Sequence, residues 1–92
     1  MARADLQQLY QELKSSRFRF MPRGEHDVRA IYRAVKATYP RLCDDRFLCS
    51  QNYSRGHEQP EWRHVVRKAL QVLKSQTGPV SSGSAWGYWV KH

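Results

Sequence analysis

From Trp62 to His92 the chain carries Arg63, Arg67, Lys68, Lys74 and Lys91 and not one acid. Arg63, Arg67 and Lys74 stand at i, i+4 and i+11, with His64, Lys68 and Gln71 beside them, so a helix would present all six on its outer side. Guanidinium and ammonium groups in a row bind anions, and a helical row suits the regularly spaced phosphates of a polyanion. A helix that is only solvated normally mixes Glu with Lys to gain i, i+4 pairs, and here no acid follows Glu61. A charged face is commonly just a solvated face, but the missing acids tilt this one toward an anionic ligand.

Other chemistries find weaker support. Cys43, Cys49, His57 and His64 form a conceivable zinc set, but five, seven and six residues separate them in turn. Structural zinc sites pair their ligands at shorter spacings, so free, buried cysteines are the expectation and no metal is assigned. A Cys and His nucleophile pair needs a cleft and an orienting third group, which so short a chain hardly provides. Gly78, Gly83 and Gly87 are spaced as hairpin punctuation, not as a phosphate loop feeding a helix. No cofactor and no catalytic residue are expected.

The elements that must position the basic row can be read from periodicity. Leu6, Leu9, Tyr10 and Leu13 repeat at i, i+3, i+4 and i+7, which predicts a helix over 4–15 with Asp5 in its first turn. Arg17 to Phe20 alternate polar and apolar, a pattern compatible with a short strand, and Pro22 and Gly24 mark a turn. Val28, Ile31, Tyr32 and Val35 predict a second helix over 25–38, closed by Pro40. Asp27 and Glu61 fall where helices begin, and a carboxylate there answers the exposed N–H groups without any catalytic role. From Arg41 to Gln59 the period is lost, and a short helix or strand is expected over Asp45 to Cys49.

Pro60 suits the first turn of a third helix, over 60–75. Trp62, Val65, Val66, Ala69, Leu70, Val72 and Leu73 share its inner side, opposite the basic row. Trp62 opens that stripe and is expected to anchor the core against Leu13, Ile31 or Leu70. Gly78 and Pro79 end the helix, and a hairpin is expected over 79–91. Val80 and Ser81 make its first strand, Ser82, Gly83 and Ser84 its turn, and Trp86 to Val90 its return. Alternation sets Trp86, Tyr88 and Val90 on one face and Trp89 on the other. The core is the expected place for these aromatics in so small a domain. A stacking platform for an extruded base or for single-stranded RNA is the alternative.

Ninety-two residues suit one domain, 1–92, and exclude a two-domain enzyme with a cleft between its halves. With 40% hydrophobic, 12% aromatic and 26% charged residues the chain has enough apolar material to fold. Sixteen Lys and Arg against eight Asp and Glu give a net charge of +8, which favours a polyanionic partner. No membrane partner is expected, since no run approaches a transmembrane span and the mean hydropathy is −0.79. The opening MARADLQQLYQEL lacks the apolar core of a signal peptide, and two cysteines make no disulfide framework, so a cytoplasmic setting is expected.

Two helices, a third with an acid-free outer side and a terminal hairpin describe an α+β, mainly α, winged helix. In that fold the third helix reads a major groove and the hairpin, with Ser82 and Ser84 at its tip, follows the backbone. The run PEWRHVVRKALQVLKSQTG, Pro60 to Gly78, resembles the winged-helix domains joined to bacterial restriction endonucleases of the Mrr and related modification-dependent types. YPRLCDD, Tyr39 to Asp45, and WGYWV, Trp86 to Val90, are similar to the same group, and the matching pieces cover about half the chain. The resemblance implies a double-stranded DNA-binding module of a restriction-modification system, at most nucleoid-associated, with a nuclease domain or subunit as companion. It points to Arg63, His64, Arg67, Lys68 and Lys74. The nuclease itself is not implied for this chain: its one Glu-x-Lys, Glu12 to Lys14, lies on the first helix. Arg63, near the helix start, and after it Arg67 are expected to read bases, and Lys68 and Lys74 to hold phosphates. An RNA-binding or protein-docking adaptor of the same fold is the alternative.

Overall fold

The computed structural model describes residues 2–46, 48–49, 59–75, 78–85 and 87–92. Leu9 and Leu13, one turn apart on α1 (Ala2–Ser16), are fully buried, and α1 packs along α3 (Glu61–Ser75). From α3 come Trp62, Val65, Val66, Ala69, Leu70 and Leu73, and from α2 (Val28–Thr38) come Ile31, Tyr32 and Val35. These three apolar stripes, with Phe18, Met21, Cys43 and Val80, form one core. Burial of this apolar surface is the main source of stability. The inner side of α3 agrees with its periodicity, except that Val72 is only half-buried at the edge of the stripe.

The segment after α1 is a turn and not a strand. Arg17 and Phe18 have φ of 55° and 57°, the left-handed region, which an extended strand excludes. Arg17 N–H still donates to Leu13 O at 3.0 Å, closing the helix, and the turn drives Phe18 into the core. Burial of a whole aromatic ring offsets the strain of its backbone. Phe20 packs behind it, 5.6 Å from Phe18 and 6.0 Å from Tyr39 between ring centres.

The second helix starts later than expected because Gly24–Asp27 form a strand, β1. Asp27 is the N-cap of α2, accepting the Arg29 N–H at 2.9 Å, which fits the structural role read for it. β2 (Leu48–Cys49) pairs with β3 (Gln59–Pro60), so the expected short element is a strand and Pro60 stands just ahead of α3. The hairpin consists of β4 (Val80–Ser82) and β5 (Tyr88–Lys91), with a longer turn than the sequence suggested. β5 also pairs antiparallel with β1, Gly24 facing Lys91 and Asp27 facing Tyr88, so the sheet order is β1-β5-β4. The described residues form a small, mainly helical α+β domain of three helices and a three-stranded antiparallel sheet, with a separate two-stranded pair. Among the described residues no helix is long and apolar enough to cross a membrane.

Trp62 is a core residue, 2% exposed, in one cluster with Leu13, Ile31 and Leu70. Its ring neighbour is Tyr32, met edge-on with centres 5.8 Å apart. The indole N–H donates to Asp45 at 2.8 Å, and Lys36 of α2 pairs with the other oxygen of that carboxylate. A buried indole needs such an acceptor, so Asp45 ties the loop after α2 to the start of α3. Trp89 turns toward the core and is half-buried, whereas Tyr88, on the other face of β5, is exposed instead of buried as the tail aromatics were expected to be. Trp86 lies outside the described residues.

Candidate nucleic-acid interface

A groove of about 860 Å³ runs between α3, the hairpin and the first turn of α2. Arg63, Arg67, Gln71 and Lys74 form one wall, a strip set by their spacing of four, four and three residues along the helix. Ser82, Gly83, Ser84 and Ala85 form the facing wall, Arg29 and Tyr32 come from α2, and Trp89 closes the side nearest the core. Among the described residues that line it, four are cationic and none is acidic. Sited in a concave surface, such cations focus a positive potential on whatever enters.

Six of the eight residues singled out in the sequence meet here: Arg63, Arg67, Gln71, Lys74, Ser82 and Ser84. His64 and Lys68 do not line the groove. Lys68 turns toward α1, where its ammonium lies 5.0 Å from the centre of the Tyr10 ring. Arg29 was missed by the sequence reading. Its signal is the Asp27 cap, which fixes where α2 begins and so places the second helical residue at the groove mouth.

Arg63 is held in place. Its guanidinium carbon lies 5.1 Å from the centre of Tyr32 and 5.6 Å from that of Trp62, and its Nε is buried with no hydrogen-bond acceptor among the described residues. Two aromatic rings thus fix the charge at the point where α2 and α3 meet. Below it, the Asp45 carboxyl is held under the ordinary range by Lys36 first and by the Trp62 N–H second.

The hairpin wall is braced from β1. The Glu25 carboxylate accepts the Ser84 backbone N–H and, at 3.0 Å, its hydroxyl, while Gly83 N–H donates to Tyr88 O at 2.8 Å. Val28 N–H donates to Gly87 O at 2.8 Å, joining the start of α2 to the hairpin turn, where Gly87 has a φ of 86°. A side chain at Gly83 would begin 2.7 Å from Glu25 Oε2 and 2.7 Å from Tyr88 Cβ, so only glycine fits.

Of the residues weighed as zinc ligands, Cys43 is a buried free thiol pushed up to about 12, by burial first and by Asp45 second. The side chain of Cys49 and the whole of His57 lie outside the described residues. Among the described residues no three of His, Cys, Asp and Glu group as metal ligands would. The chain matches no family model, no curated protein and no solved structure at a significant level.

Proposed function

We propose that this chain is a winged-helix module that binds double-stranded DNA, with α3 in the major groove and the β4–β5 hairpin along the phosphate backbone. The observation that carries the reading is the groove: four cations and no acid among the described residues that line it, and a hairpin wall whose braced tip stands beside the basic helix. Support for the winged helix comes from the element order, in which a strand between the first two helices pairs with the last strand of a terminal hairpin. A domain so built inserts a helix between two backbones and leaves its hairpin beside one of them.

The roles follow from reach. Arg63, stacked on two rings, is suited to a fixed phosphate contact and less to the base reading expected of it. Arg67 and the exposed Gln71 are better placed for base edges, since Arg pairs with guanine and Gln with adenine. Lys74 and Arg29 hold phosphates, and the hairpin tip offers Ser82. A nuclease domain or subunit as companion, and a cytoplasmic, nucleoid-associated setting, belong to the same reading.

Titration of a labelled duplex at two salt concentrations tests it. Binding should fall steeply with salt, and Arg67→Ala and Lys74→Ala should each weaken it, Lys74→Ala alike for all sequences. Wild-type affinity untouched by both substitutions overturns the groove assignment. No measurable duplex affinity at low salt overturns DNA binding itself and leaves a docking surface for an acidic protein.

A further inference from the structure

Lys14 of α1 and Lys68 of α3 converge on one aromatic ring. Their ammonium groups lie 4.9 and 5.0 Å from the centre of Tyr10. Neither pairs with a carboxylate: the ion pairs among the described residues use Arg29, Lys36 and Arg46. Tyr10 is half-buried against the core, so the ring is a fixed platform and not a loose side chain that gathers cations by chance. Each ammonium keeps a full positive charge, which the face of the ring balances only in part. An anion within reach of these ammonium groups supplies the missing charge.

The position of the cluster says which anion. At about 100° per residue, Gln71 points outward from α3, Arg67 and Lys74 lie on its hairpin side, and Lys68 lies on its α1 side. A helix in a major groove, roughly 12 Å wide, is bounded by two phosphate backbones. The groove beside the hairpin accounts for one of them. We infer that Lys14 and Lys68, each steadied by Tyr10, form a second phosphate site, which takes the backbone of the strand across the major groove from the one beside the hairpin. The inference rests on α3 occupying a DNA major groove, as proposed above.

Salt titration of duplex binding by the whole chain reads both claims separately. Each phosphate contact contributes about 0.9 to the log-log slope, so Lys14→Gln with Lys68→Gln should lower the slope by roughly two contacts' worth. Lys14→Arg with Lys68→Arg, which keeps both charges, should restore it. Lys91→Gln, an equal loss of charge per residue on β5, should leave it unchanged. Melting temperatures establish that each variant is folded. An unchanged slope in the double Gln variant, while Arg67→Ala lowers it, overturns the second site and leaves the groove reading intact. An equal fall with Lys91→Gln also overturns it, since diffuse charge then explains the effect. A wild-type chain with no salt-dependent duplex affinity overturns both.

Discussion

Glu25 and Ser84 are fifty-nine positions apart in the chain, yet one carboxylate binds both the backbone N–H and the hydroxyl of the serine. The hairpin tip is therefore not a free loop beside the basic helix. An acid on β1 fixes it, and that acid lies outside the groove lining, so the brace is supplied without placing negative charge where the ligand is proposed to sit.

Gly83→Ala should loosen the tip. The added carbon would start 2.7 Å from both Glu25 Oε2 and Tyr88 Cβ, and the second of these belongs to a paired strand that cannot swing away. Overpacking of this kind costs about 1 to 3 kcal/mol. Denaturant titration should show the loss, and amide exchange should show it concentrated at Ser84 and Tyr88. Unchanged exchange there means that the tip is not braced.

Trp62→Ala should cost about 3 to 5 kcal/mol, as expected for removing a buried Trp. Trp62→Phe should cost less, since it keeps a ring against Tyr32 while losing the donor to Asp45 and part of the buried indole. Equal losses for the two variants, measured by urea unfolding, would show that a phenyl ring against Tyr32 contributes nothing to stability.

Acid should weaken the fold through Asp45. Its carboxyl lies below the usual 3.8 in the folded chain, drawn down by Lys36 and Trp62. The folded state therefore binds its proton less readily than the unfolded state does. The stabilisation is present above the unfolded value and is lost as pH falls through the folded one. Asp27 and Asp44, lowered by their bonds to Arg29 and Arg46, act in the same direction. Melting temperature followed from about pH 5 to pH 2 should fall less steeply in Asp45→Asn than in the wild type. Parallel curves for the two proteins would remove Asp45 from this account.

Cys43 should be nearly inert to alkylation in the folded chain. With its thiol pushed up to about 12, almost no thiolate exists at neutral or mildly alkaline pH. In a Cys49→Ser background, iodoacetamide should modify Cys43 only as fast as the chain unfolds, and urea should release the reaction. Rapid modification without denaturant would contradict the burial.

The three helices and the core were legible because their apolar stripes repeat with the helical period, and Trp62 was legible as the head of one stripe. The strip Arg63, Arg67 and Lys74 was legible for the same reason: residues four and seven apart on one helix share a side wherever the helix packs. β1 was not. Glu25, His26 and Asp27 carry no alternation of apolar and polar residues, and only the pairing with β5 makes them a strand. The turn at Arg17 and Phe18 was hidden too, since alternation along four residues does not report the sign of φ. Lys68 stands beside the strip and not in it: helical geometry alone puts it on the other side of Gln71, and only the Tyr10 ring that α1 offers it there was hidden.

β5 is the middle strand of the sheet, and it is made after both of its neighbours. The three helices can collapse on one another before the sheet closes, because their mutual contacts need nothing beyond α3. β1 must wait with its edge unpaired until some sixty residues later its partner arrives. The order of events then places the slowest, most non-local closure at the very element that shapes one wall of the groove. A chain that has its helices but not yet its last strand is folded in its core and without its groove.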